Sequence, residues 1–300
     1  MGQIDCYGNA QESLNKFLGI QTNAMQIHRL TNTYGAAAGQ LTREATKKPS
    51  SKERVYAQLD GSMLLTRTVG WKEVKVGRVF LQSDCIKGKQ DGQGWIKQSD
   101  YEAVVGGKAA FAKVFEERLE TLGPLGERLI FISDGAVWIR QWIEDNYPQA
   151  IHILDFYHAA EYLHAFAQEY YPDLSLRKKW TKKQKGLLLD SKLPQVINNI
   201  EKLEAHPASQ QQRERLLSYY RTNQPRMDYK KYRKIGAGLI GSGAIEATHR
   251  SLVQKRLKLS GQRWTEPGAQ NVLNLRCLNL SGCWDSVVEL IEDNNLKMAA

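Results

Sequence analysis

Cysteine is scarce in this 300-residue chain, and its few cysteines are not spaced to bind a metal. They stand at positions 6, 85, 277 and 283, without a Cys-x-x-Cys pair and without the cysteine–histidine spacing of zinc sites. This pattern is typical of reduced thiols in a cytosolic protein and argues against a structural zinc.

Long hydrophobic runs are also missing. No apolar stretch approaches the roughly 20 residues that a membrane span needs. The N-terminus lacks the basic-then-apolar pattern of a secretory signal. We therefore expect a cytoplasmic protein with no membrane partner.

What the chain has in excess is positive charge. Lysine and arginine number 42 against 32 acidic residues, which gives a net charge of +10 and a pI near 9.3. Such a balance favours a polyanionic partner such as nucleic acid. The alternative is a basic soluble protein without such a partner.

The N-terminal segment predicts two helices around a turn at Gly19. The helices are expected over Ala10–Phe17 and Gln21–Tyr34, with Met25, Ile27 and Leu30 as core contacts. This arrangement resembles a helix-turn-helix, although an ordinary helical hairpin fits the same pattern. The residues that a helix-turn-helix would present to DNA are Gln21, Asn23, Gln26 and Arg29.

Beyond a polar, proline-containing segment the sequence alternates as strands do. Strands are expected at Val55–Leu59, with Met63–Thr66 as a possible continuation, at Trp71–Leu81 and within 95–105, followed by a helix at 108–122. A strand at 128–133, a helix at 136–146 and a strand at 151–154 come next. Three strands followed by alternating helices and strands match a ribonuclease H-like α/β core.

The domain organisation follows from these elements. We expect an N-terminal DNA-binding segment at 1–46, a linker at 47–54 and the first part of the ribonuclease H-like core at 55–158. Residues 159–236 are predicted to form an α-helical insertion. Residues 237–300 are predicted to complete the core with helices.

Three carboxylates occupy the positions at which a ribonuclease H-like fold carries acids. Asp60 follows the first strand, Asp134 follows the fourth, and Glu246 lies on a later helix. Carboxylate oxygens suit Mg²⁺, and two such ions can drive in-line attack on a phosphate. The sequence therefore predicts a site for two Mg²⁺ or Mn²⁺ ions. The alternative for both aspartates is an ordinary Asp-Gly turn.

Asp155 competes with Asp134 for the place of the second acid. It also ends a predicted strand, but it can equally cap the next helix. His158, on the first turn of that helix, is an auxiliary candidate that contacts either the acids or the scissile phosphate. Arg250 shares a helical face with Glu246, where it contacts DNA or pairs with the carboxylate. The sequence leaves each of these choices open.

Three basic clusters lie in the C-terminal half of the chain. Arg177–Lys185 holds six lysines or arginines in nine residues, Arg226–Lys234 holds five in nine, and 254–264 adds four more. Such runs are usually solvated helix faces, but three of them favour a surface that follows phosphates. Trp264 is expected either to stack on an unpaired base or to pack in the core. The predicted DNA contacts here are Lys182, Lys183, Lys230, Lys231, Lys255, Arg256, Lys258, Arg263 and Trp264.

Ordered motifs connect these features. They are Ser133-Asp134-Gly135-Ala136 with Trp138-Ile139, then Ile153–Ala159 with Glu161, then Gly241-Ser242-Gly243 with Glu246, followed by Gln254–Lys258, Ser260-Gly261 and Arg263-Trp264. The set resembles the Kra-type insertion-sequence transposases, which are DDE enzymes related to the Mutator-like group. The resemblance covers about residues 10–280.

The resemblance implies DNA transposition by a ribonuclease H-like nuclease, with Asp60, Asp134 and Glu246 as the acids and with Asp155 and His158 as an auxiliary element. It also implies terminal-repeat and target DNA as partners, a homodimer or larger synaptic complex, and a place at the prokaryotic nucleoid. Members of that family commonly carry more sequence before the first acid. The alternatives are a truncated DNA-binding derivative without catalysis and a structure-selective nuclease of the same fold.

Overall fold

The computed structural model describes residues 1–88, 94–204 and 206–299. Its strands alternate with helices, as an α/β protein requires. The strands are β1 Val55–Leu65, β2 Trp71–Leu81, β3 Cys85–Lys87, β4 Gly94–Ile96, β5 Asp100–Val105, β6 Leu129–Ser133 and β7 Ile151–Leu154.

Five strands form one sheet in the order β5-β2-β1-β6-β7, and β3 pairs with β4 in a separate hairpin. β2 and β5 are antiparallel, with Val76 opposite Ala103. β6 and β7 are parallel, with Ile132 opposite Ile153. The sheet is therefore mixed, and the α/β class predicted from the sequence is confirmed.

Helices make up most of the remaining described chain. A π-helical stretch, His249–Gln254, separates two of the short helices. The helices are α1 Tyr7–Leu18, α2 Ala24–Ala38, α3 Lys108–Glu120, α4 Val137–Asn146, α5 Phe156–Tyr170, α6 Leu174–Leu189, α7 Leu193–Glu201, α8 Gln210–Asn223, α9 Tyr229–Tyr232, α10 Gly243–Thr248, α11 Lys255–Leu257, α12 Glu266–Leu280 and α13 Asp285–Ala299.

The chain divides into two compact units. The first contains Met1–Ser51, Ala57–Leu125 and Gly243–Ala300, and the second contains Lys52–Tyr56 and Gly126–Ser242. The N-terminal helices therefore belong to the same unit as β2, β5 and the C-terminal helices. None of the described helices has both the length and the apolar character needed to cross a bilayer.

In the first unit, α1 and α2 form the predicted pair of helices around Gly19. Gly19 adopts a left-handed backbone with φ of 67°, which ends α1, and the Asn23 side chain accepts from the Gln26 N–H to begin α2. Ile27 is buried, as predicted. Met25 and Leu30 are 73% and 44% exposed, so their prediction as core contacts is wrong. A helical period alone does not decide which face of a helix is covered.

β1 runs through Asp60 as far as Leu65, so the continuation beyond Asp60-Gly61 that the sequence allowed is present. The alternative of an Asp-Gly turn at this position is wrong. The glycine has another role, because a Cβ at Gly61 would lie 2.0 Å from Glu73 Oε1. Gly61 therefore lies beside the flexible Glu73 side chain of β2, and β1 continues to Leu65.

The core of the first unit joins its strands to its C-terminal helices. Leu64 and Val74 from the sheet are buried together with Ile245 and Leu252 from the segment that begins at α10. This packing fixes the Glu246 helix to β1 and β2. Other buried members of this core are Val76, Ala103, Val253, Leu257, Trp264, Ala269, Val272, Leu273 and Cys277.

In the second unit, α5 is the central helix. Its residues Leu163 and Phe166 are fully buried, and the Tyr220 hydroxyl of α8 donates to the Ala159 carbonyl at 2.8 Å. Between Asp155 and Gly236 the described residues form helices and turns and no strand. Asp134 follows the buried strand β6, and Asp155 lies between the strand β7 and the buried helix α5.

Candidate active site

Asp60 contacts a buried histidine of the C-terminal segment. His249 Nε2 lies 3.2 Å from Asp60 Oδ2, at ion-pair distance but not aligned as a hydrogen bond. The second oxygen of Asp60 accepts from the Gly61 N–H at 2.7 Å. The Asp60 side chain keeps 30% of its surface exposed, whereas His249 keeps 6%. Asp60 is thus held from two sides and remains open to solvent.

Glu246 lies three residues before His249, which places both side chains on nearby faces of one helical segment. Glu246 and Arg250 are exposed. Buried Arg78 of β2 fixes the first turn of α10, because its Nη1 donates to the Ala244 carbonyl at 2.9 Å. Within the first unit, the strand acid Asp60 and the helix that carries Glu246 therefore meet.

The segment at His249 departs from an ordinary α-helix. Residues His249–Gln254 are π-helical, a form that is rare and often found at functional positions. The π-helical stretch begins at His249, the residue that contacts Asp60. His249 Nδ1 is buried and has no hydrogen-bond partner within the described residues. The contact with Asp60 is thus the polar interaction that the structure gives this ring.

Asp134 directly follows β6 in the second unit and is half-buried. Its Oδ1 accepts from the Ala136 N–H at 2.9 Å, which closes the short turn into α4. The Tyr219 ring covers this turn, and a Cβ at Gly135 would lie 2.4 Å from Tyr219 Cε2. Tyr219 in turn stacks on Tyr162 with ring centroids 3.9 Å apart. Gly135 is therefore required here by the close Tyr219 ring.

Asp155 is fully buried and saturated with hydrogen bonds. One oxygen accepts from the N–H groups of Tyr157 and His158, which makes Asp155 the N-cap of α5. The other oxygen accepts from both the N–H and the hydroxyl of Ser242. Asp155 therefore ties the segment before α10 to the start of α5.

This difference separates the two candidates for the second acid. Asp155 has 0% of its surface exposed and four donors on its two oxygens. Asp134 is half-buried, at the surface end of a strand. Burial and four donors make Asp155 an anchor between α5 and the Ser242 segment, whereas Asp134 keeps part of its surface exposed.

His158 lies beside both aspartates. Its ligand nitrogen and the Asp155 carboxylate lie within 4.8 Å of each other. Burial lowers the pKa of His158, but neighbouring carboxylates outweigh it, and the net pKa is raised. Those carboxylates belong to Asp155, Glu161 and Asp134. A partly exposed histidine with a raised pKa is suited to contact an anion such as a phosphate.

A polar network supports β6 behind Asp134. The Ser133 hydroxyl lies 2.9 Å from His152 Nε2 and 3.1 Å from the Asp134 carbonyl oxygen. Arg226 Nη1 donates to the same His152 nitrogen at 3.0 Å, which places the histidine proton on Nδ1. Burial, Arg226 and Arg140 lower the pKa of His152 to about 3. His152 is therefore neutral near pH 7.

Two of the predicted DNA contacts are buried, which corrects their assignment. Arg256 is 1% exposed, lies 4.9 Å from the Tyr7 ring and 4.8 Å from the Trp264 ring, and donates to the Gly2 carbonyl. Trp264 is 9% exposed and donates to the Leu257 carbonyl. The other predicted contacts are exposed or half-buried: Gln21, Asn23, Gln26, Arg29, Lys182, Lys183, Lys230, Lys231, Lys255, Lys258 and Arg263.

Sequence reasoning missed the residues that hold the acids in place. His249, Ser242 and Tyr219 each contact an acid or its turn, although each is distant in sequence from the residue it supports. Ser242 and His249 lie three or four positions from Glu246, and this closeness in sequence could have marked them as residues of the site. Nothing in the sequence marked Tyr219 in this way.

Comparison with curated proteins gives no match. A family model described as Uncharacterised protein family (UPF0236) matches residues 113–294, which is more than half of the chain. The match begins within α3 and includes Asp134, Asp155 and Glu246. The chain therefore belongs to the uncharacterised protein family UPF0236.

Proposed function

We propose that this chain is a DDE transposase built on a ribonuclease H-like core, which cuts DNA at the ends of a mobile element and joins those ends to target DNA. The order of elements supports the core. β1, β2 and β5 precede α3, and β6, α4, β7 and α5 then alternate. The resemblance of the ordered motifs to the Kra-type transposases supports the reaction.

The observation that carries the proposal is the contact between Asp60 and the Glu246 segment. A carboxylate inside a strand, partly exposed, faces a helix whose acid lies one turn away from the contacting histidine. An aspartate that only forms a turn would not need to contact a distant helix. Two acids that act on the same ligand must be held close to each other by rigid elements, as the strand and helix do here.

Asp60, Asp134 and Glu246 suit divalent cations by their chemistry, since each offers carboxylate oxygen and each is exposed or half-buried. We propose that they hold two Mg²⁺ or Mn²⁺ ions. Bound there, such ions would stabilise the charge that develops on the phosphate during in-line displacement.

The residues around the acids would prepare the site. His249 and the Gly61 N–H orient the Asp60 carboxylate, and the Ala136 N–H orients that of Asp134. His158, with its raised pKa, would contact a phosphate of the bound strand. Asp155 would act only by holding the Ser242 segment.

The reaction has two steps. Water attacks the phosphodiester at the element end, the bond from phosphorus to the 3′ oxygen breaks, and a 3′-hydroxyl is released. That hydroxyl then attacks a phosphodiester of the target, so that one bond replaces another and no ATP is needed. Both ends must be processed together, so we expect a dimer or larger complex on DNA at the prokaryotic nucleoid.

Helices α1 and α2 would contribute to end binding in this proposal. Gln21, Gln26 and Arg29 are exposed and available for it. The Asn23 side chain is already used as the cap of α2, so it would contact DNA only through its remaining amide hydrogens.

The test is Mn²⁺-dependent cleavage of labelled DNA that carries the element's terminal repeats. We expect cleavage at the element end by the intact chain, loss of it in Glu246→Gln, and full activity in Glu120→Gln, an exposed glutamate at the end of α3. Specific binding without cleavage in all three proteins would indicate a DNA-binding derivative. Cleavage of branched DNA regardless of its terminal sequence would indicate a structure-selective nuclease.

A further inference from the structure

We infer that α6 and α9 form one cationic surface that binds the phosphate backbone of duplex DNA without reading its sequence. We call it the α6–α9 surface and define it by Lys178, Lys179, Lys182, Lys183, Lys230 and Lys231. It deepens the proposed function, on which it rests for the choice of DNA, and it lies entirely in the second unit.

Helix α6 supplies most of the charge. Its 16 residues include six cations and no acid. Lys178, Lys179, Lys182 and Lys183 are exposed, and their spacing of one and four residues places them on one side of a helix about 24 Å long. None of these four lysines forms an ion pair within the described part of the chain.

The fold brings a second cluster, distant in sequence, to the end of α6. The Ser191 hydroxyl, just beyond α6, donates to Asp228 at 2.5 Å and accepts from the Lys230 N–H at 2.9 Å. Lys185 of α6 lies 5.9 Å from the Phe156 ring, against which Tyr229 packs. The exposed Lys230 and Lys231 therefore extend the charge of α6.

The nearby acids have partners other than the lysines of this surface. Asp173 caps α6, and Asp228 caps α9 while it also accepts from Ser191. Asp190, at the end of α6, lies 4.0 Å from Lys192. The lysines are thus left for an external partner with closely spaced negative charges, which the DNA backbone provides.

The buried aromatic residues decide what the surface can read. Tyr229 and Tyr232, which alternate with the α9 lysines in sequence, are 0% and 7% exposed. They are therefore not available to stack on bases. Flexible lysines contact phosphates as point charges and carry no sequence information. The surface is thus suited to clamp a duplex of any sequence.

The experiment compares two variants with the same loss of charge. The first replaces Lys178, Lys179, Lys182 and Lys183 by glutamine. The control replaces four lysines of the first unit by glutamine. The control lysines are Lys48, Lys87, Lys108 and Lys113, which are exposed.

Binding to a 30-base-pair duplex of arbitrary sequence is measured by fluorescence anisotropy in EDTA, from 50 to 300 mM salt, with circular dichroism to verify folding. Each phosphate contact contributes about 0.9 to the slope of log affinity against log salt concentration. A contact of this kind therefore raises the affinity at 0.15 M salt about 5-fold relative to its value at 1 M salt. If the α6 lysines bind two or more phosphates, we expect the α6 variant to have a slope lower by about 2 or more and an affinity at least about 30-fold weaker. The loss should be the same on AT-rich and GC-rich duplexes. The control should stay within about 3-fold of the intact chain.

Equal losses in the two variants, or an unchanged slope in the α6 variant, would overturn the inference. Equally tight binding to anionic vesicles through the same lysines would overturn the choice of DNA. Cleavage of element ends together with unchanged duplex binding by the α6 variant would refute this surface and leave the proposed function standing. Duplex binding that depends on the α6 lysines, by a chain that never cleaves element ends, would support this surface and refute the proposed function.

Discussion

Replacement of Asp155 by asparagine is expected to lower the free energy of unfolding by about 2–4 kcal/mol. An asparagine oxygen can still accept from the two N–H groups at the start of α5. Its amide group, however, faces the N–H and hydroxyl of Ser242. The hydroxyl can rotate to accept, whereas the buried N–H is left without a partner, at a cost of about 1–3 kcal/mol. The rest of the loss comes from the missing charge on the remaining bonds.

Asp134→Asn is the matched comparison. Asp134 is half-buried, and an asparagine oxygen keeps the bond from the Ala136 N–H. We expect this variant to lose less than about 1 kcal/mol of stability and to lose cleavage of element ends. The two aspartates should therefore separate, with a structural effect at Asp155 and a catalytic effect at Asp134.

Urea unfolding followed by circular dichroism and tryptophan fluorescence measures the stability of both variants, and the Mn²⁺-dependent assay measures their cleavage. If Asp155→Asn unfolds like the intact chain and loses cleavage, while Asp134→Asn keeps it, then Asp155 is the second acid and our assignment is wrong. A large loss of stability in Asp134→Asn would contradict its proposed role as a metal ligand that contributes little to stability.

Three further predictions concern residues around the site. Gly135→Ala should cost about 1–3 kcal/mol of stability, because its Cβ would lie 2.4 Å from the Tyr219 ring. In a double-mutant cycle, adding Tyr219→Ala should recover part of that loss. Arg256→Leu should lower the free energy of unfolding in urea by about 2–4 kcal/mol and leave duplex binding by the folded protein unchanged. Lys255→Gln should instead weaken duplex binding about 5-fold and leave stability unchanged. Because the pKa of His152 is about 3 in the folded chain against 6.5 for an ordinary histidine, the unfolded chain takes up the proton first as pH falls. Stability should thus fall by about 1.4 kcal/mol for each pH unit between 6.5 and about 3. A His152→Gln variant that shows the same fall between about pH 7 and 5 would refute this origin.

Local patterns predicted the regular elements well. The strand at Trp71–Leu81 was predicted with its observed bounds because its residues alternate and are bounded by turn residues. The short strand before Asp155 is a buried apolar run and was also predicted with its observed bounds. Helix α13 and the β3–β4 hairpin were not predicted as separate elements.

The errors arose where a distant part of the chain decides the local structure. Asp60-Gly61 has the composition of a turn, but it lies inside β1, which continues to Leu65 beside β2. Arg256 lies in a basic cluster, but Tyr7 and Gly2 bury it. The contact between His249 and Asp60 joins two segments that no local period connects.

The most direct test of the proposed reaction is strand transfer. A labelled, pre-cut element end with a free 3′-hydroxyl is mixed with a target plasmid and Mn²⁺, with the intact chain or with Glu246→Gln. We expect joined products with the intact chain and none with the variant. No joined product with the intact chain, or equal amounts with both proteins, would contradict the proposal that these acids carry out DNA transposition.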